Sequence, residues 1–134
     1  CDDTPEKCRQ REQPTDQIVV ADEGDHLSGY AYAIQFRSRE AYRHSVETTV
    51  YVDPAHQRQG VGRHLMMSLL ERLSNQGHHL ALALATLPNP GSVGLHESLG
   101  FTKVGVIPEV GYKLDQWHDV GIWSLKLKGG TLRE

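Results

Sequence analysis

Residues 46–73, VETTVYVDPAHQRQGVGRHLMMSLLERL, constrain this chain more than any other stretch, because a strand pattern runs there through a glycine-bearing loop directly into a helix pattern. Val46, Thr48, Val50 and Val52 alternate with Glu47, Thr49 and Tyr51, and a period of two turns the carboxylate and the phenol to one face of a sheet. Pro54 stops the ladder, having no N–H to give. Beyond the loop, Val61, Leu65, Met66, Leu69, Leu70 and Leu73 recur at helical spacing, as one buried stripe does. The loop therefore opens a helix. The first turn of a helix has unpaired N–H groups and a partial positive charge, and Gly60 and Gly62 have no Cβ to hold a ligand away from those amides. A phosphate fits such a place. Two glycines in isolation are explained more simply by a tight strand-to-helix turn.

The common phosphate loops do not match. G-x-x-x-x-G-K-[ST] is absent, Gly60-Val61-Gly62 lacks the third glycine of the dinucleotide fingerprint, and no carboxylate follows in residues 76–84 where that fingerprint expects one. What remains is Q-x-x-G-x-G after a strand. The 134 residues fit one domain that can bury a core without staples. The net charge of -3 lacks the excess of base that general nucleic-acid binding needs, although His56, Arg58, Arg63 and His64 gather around the loop, which suits one small polyanion. No apolar run reaches the roughly 20 residues of a membrane span and no basic-then-apolar leader precedes the domain, so a cytoplasmic protein is expected. Cys1 and Cys8, both in the polar N-terminal stretch, imply neither a disulfide framework nor a cysteine-based metal site and read as free thiols.

Taken in order, residues 1–16 are polar, with Pro5 and Pro14 bracketing two turns of surface helix at most. Residues 17–22 and 27–36 read as two strands joined by Glu23-Gly24-Asp25-His26, a hairpin by its turn residues. Residues 37–45, RSREAYRHS, break the alternation with a basic, aromatic-bearing loop that we expect at the rim of a site, or else as a solvated connection. After the central helix, Asn75-Gln76-Gly77 supplies a stop, and residues 80–87 form an apolar run of strand length, expected to be covered on both faces. Asn89-Pro90-Gly91-Ser92 reads as a turn ending in a helix N-cap, residues 93–99 as a short helix closed by Gly100, and residues 101–107 as a strand. Residues 108–116 read as a loop and residues 118–127 as the last strand. The order argues an α/β fold: a mixed, mostly antiparallel sheet with helices on both faces. One domain is expected over 1–134, with residues 1–16 a polar lead-in, 17–127 the core and 128–134 a tail.

The Q-x-x-G-x-G pattern after such a strand resembles the pyrophosphate loop of the GNAT superfamily of acyl-CoA-dependent N-acetyltransferases. Asn89, Ser92, Leu95, Gly100 and Phe101 are similar to a second pattern of that family, N-x-x-S/A-x-x-L-Y-x-x-x-G-F, in which His96 replaces the tyrosine. Glu47-Thr-Thr-Val-Tyr-Val52, His56-Gln-Arg58, Leu87-Pro-Asn89 and Trp117-His-Asp-Val-Gly-Ile-Trp123 resemble the phosphinothricin N-acetyltransferase branch, which also carries the histidine. The resemblance covers nearly all of residues 19–127. It implies acetyl-CoA as cosubstrate, no metal, and an opening strand and helices that this chain lacks ahead of Gln17. Their loss would bare apolar surface and a strand edge near residues 17–36, to be covered by an upstream segment or by a second copy.

The resemblance also implies residue roles. Val50, Tyr51 and Val52 would offer backbone groups to the two amides of the pantetheine arm, as an added strand does. Arg58, Gln59, Gly60, Val61, Gly62 and Arg63 would wrap the pyrophosphate, and Asn89 would bind near the thioester. Glu47 would accept the proton of the acceptor amine, since partial burial in an otherwise apolar and hydroxylic strand suits that task. His96 would donate a proton to the departing thiolate or relay one from the amine. His118 and Asp119 are expected to be structural. Arg37, Arg39 and Tyr42 resemble the substrate-anchoring loop of the same branch, with Arg37 where lysine is common, and two guanidiniums grip a carboxylate or phosphinate bidentately. The expected reaction is acetyl transfer to the α-amine of a small anionic amino acid or analogue, of the phosphinothricin or methionine sulfone type, in a ternary complex. A small-molecule amine, a homodimer partner, and neither nucleic acid nor membrane are the expected partners. The alternatives are an N-acetyltransferase for peptide N-termini or polyamines, a CoA-binding protein without catalysis, and a nucleic-acid-binding module, which charge disfavours.

Overall fold

The computed structural model describes residues 17–23, 26–56 and 60–128, with the side chains of residues 17–27 and 56 left aside. Cys1, Cys8 and the short helix expected between Pro5 and Pro14 lie outside the described residues. Six strands form one sheet in the order β1-β2-β3-β4-β6-β5, where β1 is Gln17–Glu23, β2 His26–Gln35, β3 Ser45–Val52, β4 Leu80–Thr86, β5 Thr102–Lys113 and β6 Gln116–Lys126. Only β3 and β4 run parallel, and helix α1 (Val61–Asn75) makes the crossover between them. Helix α2 (Pro90–Ser98) follows β4. The two edges of the sheet are β1 and β5.

Alternation along the strands divides the sheet into two unlike faces. Ala31 and Ala33 of β2, Val46 and Thr48 of β3, and Ala81, Ala83 and Ala85 of β4 are buried on one face. The small residues of β2 leave room for Leu65, Met66, Leu69 and Leu73 of the predicted stripe of α1 to lie close against the strands, and the stripe's Val61 and Leu70 pack partly buried against the same core. Gly29 extends the row, because a Cβ there would stand 3.1 Å from Leu65 Cδ1 and 2.6 Å from the Tyr51 carbonyl. Phe101, Trp123 and Leu127 complete the same core. Trp123 donates its indole N–H to Glu97 of α2 at 3.0 Å, and Gly121 gives its ring space, since a Cβ there would come within 2.5 Å of it. Both described helices therefore pack on one face. Helical cover of the other face, expected from the sequence, comes from no described residue.

Several expectations shift in detail. Helix α2 begins earlier than its apolar pattern suggests: Asn89, rather than Ser92, is the N-cap, its Oδ1 accepting from the Ser92 N–H at 3.1 Å, and Pro90 sits in the first turn. Residues 108–116 are not a loop. Strand β5 runs on to Lys113 through irregular register between Ile107 and Gly111, and Leu114 and Asp115, both at positive φ, make a two-residue turn into β6. The β4 run is not covered on both faces, because Leu84 is 40% exposed. Exposed apolar surface was expected near residues 17–36. The side chains of residues 17–27 lie outside the described ones and β1 is a sheet edge as expected, while among described side chains exposed apolar surface concentrates on the β5–β6 hairpin, at Val104, Val110, Tyr112, Leu114 and Trp117.

Two buried histidines make the fold sensitive to acid. His78, between α1 and β4, is buried with no hydrogen-bond partner at Nδ1 among the described residues, and burial together with nearby His44 holds its pKa below the ordinary 6.5. Burial also lowers His96, against a smaller opposing effect of its bond to Ser92. Just below 6.5 the unfolded chain thus binds more protons than the folded one. Stability contributed by the neutral imidazoles is complete above about pH 6.5 and is lost as pH falls through the window beneath it. Urea midpoints should therefore fall between about pH 6.5 and pH 5, and fall less in His78→Phe. Level midpoints across that range would contradict this account.

Candidate active site

Strands β3 and β4 part after only four paired positions. Ser45 to Thr48 pair with Leu80 to Ala83, and beyond them β3 pairs only with β2 while β4 pairs only with β6. A cleft opens between the diverging halves, bordered by residues 49–52 on one side and residues 84–86 on the other. The Thr48 hydroxyl donates to the Leu82 carbonyl at 3.0 Å inside the core, which ties the strands together at the apex. Val50, Tyr51 and Val52 thus lie on the stretch of β3 that has no partner strand on its β4 side. An extended ligand with amide groups can add to such an edge.

Glu47 stands at this apex. It is half-buried on the face away from the helices, with Ile34 of β2 and Leu82 of β4 as its cross-strand neighbours. Further along that face, Tyr30 pairs with Tyr51, their rings 5.4 Å apart. The carboxylate has apolar neighbours and no ion-pair partner among the described residues.

The N-terminus of α1 adjoins the far end of β3. Gly60 is the N-cap at φ 80, a left-handed conformation that glycine adopts without strain, and no side chain caps the first turn. A Cβ on Gly60 would touch none of the described residues outside its chain neighbours. Gly62 is different. Its Cβ would stand 3.3 Å from Val52 Cγ2 and 3.5 Å from Leu95 Cδ2, so this glycine serves the close approach of α1 to β3 and α2 more than the approach of a ligand. No acidic residue lies in the first turn. Arg63 donates to Ser98 Oγ at 2.7 Å, fastening α1 to α2, so one of its donors is taken by the fold. Val61 completes this turn. Arg58 and Gln59, expected to share the anion, lie outside the described residues, as does the side chain of His56.

Across the cleft, Asn89 follows β4. Its Oδ1 is taken by the cap, which leaves the amide N–H groups for a ligand. His96 is buried on α2, edge-on to Phe101 with ring centroids 5.1 Å apart. Its Nδ1 lies 2.8 Å from the Ser92 carbonyl, and because a carbonyl only accepts, the proton is on Nδ1 and the lone pair on Nε2. Burial favours this neutral ring. Such a ring presents an acceptor at Nε2.

The connection from β2 to β3 carries the other expected residues. Phe36 N–H donates to Ser45 O at 2.9 Å and closes its base, and residues Glu40–Tyr42 make one 3-10 turn. The Arg37 guanidinium lies 5.1 Å from the Phe36 ring centroid, and Tyr42 meets the same ring edge-on at 6.1 Å. Arg43 pairs weakly with Glu40 at 4.0 Å. Among the described residues no carboxylate holds Arg37 or Arg39, and both are exposed. Glu47 is three residues beyond His44, about 10 Å along a strand. The loop therefore joins the strand that carries the carboxylate, whereas Trp117, His118 and Asp119 lie at the hairpin. Asp119 Oδ1 accepts there from the Glu109 N–H at 2.9 Å, the structural role expected for it.

Comparison with known proteins shows the family. The family model described as "Acetyltransferase (GNAT) family" matches residues 2–101. The chain belongs to that family. A phosphinothricin N-acetyltransferase of Streptomyces viridochromogenes is 45% identical over 79% of this chain and 58% of its own length. An L-methionine sulfoximine/L-methionine sulfone acetyltransferase of Salmonella typhimurium is 38% identical over 82% of this chain and 64% of its own length. The crystal structure of a GNAT superfamily phosphinothricin acetyltransferase from Sinorhizobium meliloti, in complex with acetyl-CoA, superposes with a TM-score of 0.82 at 36% identity, covering 87% of this chain and 64% of that one. The chain thus spans about three fifths of the length of the curated relatives it matches. Among the described residues no helix is long and apolar enough to cross a membrane, and no group of three or more potential metal ligands gathers.

Sequence reasoning overlooked Thr48 and Ser98. Thr48 left one signal, a hydroxyl at a core-facing position among valines. Ser98 left none, because its link to Arg63 spans two helices. The packing role of Gly62 is testable without ligand: Gly62→Val should cost about 1–3 kcal/mol of stability by overpacking against Val52 and Leu95. Gly60→Ala should cost about 1–2 kcal/mol through its left-handed backbone. Chemical denaturation measures both, and a Gly62→Val protein as stable as the parent would show that α1 has slack there.

Proposed function

We propose that this chain carries the active site of an acetyl-CoA-dependent N-acetyltransferase acting on the α-amine of a small anionic amino acid or analogue. The observation that carries the reading is Glu47 at the apex of the fork between β3 and β4, with a basic loop at one end of its strand and an uncapped helix N-terminus past the other. Acetyl-CoA, when bound, supplies an acetyl group activated as a thioester. The residues that would hold it are Val50, Tyr51 and Val52 along the β3 edge, Gly60, Val61, Gly62 and Arg63 at the helix terminus with Arg58 and Gln59 of the preceding loop, and Asn89 across the cleft. The open edge and the space around Gly60 fit an extended amide chain ending in a pyrophosphate.

Transfer by direct attack in a ternary complex needs a neutral amine. Glu47 accepts the ammonium proton, directly or through one water, and frees the nitrogen lone pair for the thioester carbonyl. His96, with its lone pair at Nε2, relays a proton toward the departing sulfur. Arg37 and Arg39, exposed and without carboxylate partners among the described residues, take the carboxylate or phosphinate of the acceptor, and Tyr42 borders them. A cationic loop of this kind opposes a polyamine. The named activities of the two relatives, on phosphinothricin and on methionine sulfoximine or sulfone, support this choice of acceptor. A cytoplasmic homodimer is the working unit we propose, for which the exposed apolar strip of the β5–β6 hairpin offers a surface.

Glu47→Gln keeps the shape of the side chain and removes its basicity. Turnover of methionine sulfone should fall on the order of 100-fold or more, while acetyl-CoA affinity changes little. Steady-state kinetics with thiol release, together with calorimetry, measures both. Unaltered turnover from about pH 6 to pH 9 would remove Glu47 from the mechanism.

A further inference from the structure

Gln35 ends β2, and its side chain reaches forward over the loop that follows. The amide nitrogen donates to the Arg37 carbonyl at 2.6 Å and to the Arg39 carbonyl at 3.2 Å. A primary amide has two N–H groups, so each carbonyl receives one. The Arg39 carbonyl also accepts from the Tyr42 N–H at 3.0 Å, which links the same point to the 3-10 turn. Gln35 itself is fixed, because it is paired with Val46 in the sheet. By contrast, the Arg43–Glu40 contacts are internal to the loop and attach it to nothing. Gln35 is therefore the side chain that ties the backbone of both exposed arginines to a rigid element.

We infer that Gln35 is a positioning residue for the acceptor: by holding the carbonyls of Arg37 and Arg39 it sets the spacing and aim of their guanidiniums toward one anionic group. The inference rests on the reading of those arginines as the acceptor's anion site. Gripping one carboxylate with two guanidiniums demands a fixed geometry, and a loop released from the sheet must be ordered again at each binding event. The penalty falls on acceptor binding. The proton transfer at Glu47 and the binding of acetyl-CoA use other residues and stay as they are.

Gln35→Met keeps the length of the side chain and removes both donors. Its KM for methionine sulfone should rise about tenfold, with kcat, the KM for acetyl-CoA and the melting temperature near those of the parent. The neutral carboxamide of methionine sulfone, which offers no anion to grip, should show no such rise. Gln35→Glu sets carboxylate oxygens against the two carbonyls and should be worse than Met. NMR titration of methionine sulfone into parent and variant gives the same comparison as an affinity, without turnover. If Arg39→Ala weakens the acceptor and Gln35→Met does not, the positioning role is wrong and the anion site stands. If Arg39→Ala changes nothing, the anion site falls and the inference with it. A Gln35→Met defect that is equal for the sulfone and its carboxamide would make Gln35 a purely structural residue and also overturn the inference.

Discussion

The parting of β3 from β4 is the constraint on which the rest of the site depends. A strand kept in register over its whole length would have its backbone groups taken by neighbours, leaving no edge for a ligand and no gap for one to enter. Here the parallel pairing ends at Thr48 and Ala83. Two devices limit the cost of an open ladder inside a sheet. The Thr48 hydroxyl adds a bond to the Leu82 carbonyl at the last paired level, and the outer partners β2 and β6 continue past the fork, so each diverging strand keeps one full ladder. The opening is thus confined to one side of each strand.

The two faces of the sheet do different work because their residues differ in size and polarity. On the helix side, Gly29, Ala31 and Ala33 of β2 let α1 sit near the strands, and burial of Leu65, Met66, Leu69 and Leu73 there supplies the main hydrophobic stabilisation. That packing also fixes where the helix begins. Gly62 rests on Val52 and Leu95, and Arg63 on Ser98, so the unpaired amides of the first turn are held against the end of β3 by contacts that ligand binding need not create. On the opposite face, Glu47, Thr49 and Tyr51 share the surface with Tyr30, Tyr32 and Ile34, with no described helix above them. The half-buried carboxylate of Glu47 thus lies on the less completely packed face.

What the sequence made legible follows from the same physics. The strand and helix of residues 46–73 announced themselves because two periodicities met at a glycine loop, and of the expected stripe Leu65, Met66, Leu69 and Leu73 are buried while Val61 and Leu70 are partly so. Asn89 was singled out for a ligand, yet its capping bond to Ser92 was missed, since the apolar pattern of α2 begins only after the capped turn. The β5–β6 hairpin was illegible for another reason. Its turn uses Leu114 and Asp115 at positive φ, where the usual signal is Asn-Gly, and Glu109 at φ 51 interrupts the ladder beside Pro108. Tertiary pairing with β6 holds those conformations, and no local pattern could report them. The exposure of Leu84 was likewise invisible, because an apolar run reads as buried until the fork removes its neighbour.

His96 shows how local hydrogen bonding restricts a role that residue type alone leaves open. An imidazole in water can give or take a proton at either nitrogen. On α2 the Ser92 carbonyl, one turn back, selects the Nδ1–H tautomer, and the edge-on Phe101 ring and the surrounding core oppose a charge. A donor at Nε2 would need a second proton on a ring whose environment resists it, whereas an acceptor at Nε2 needs nothing further. The same bond that helps to hold the last turns of α2 therefore leaves Nε2 as the accepting nitrogen of the ring.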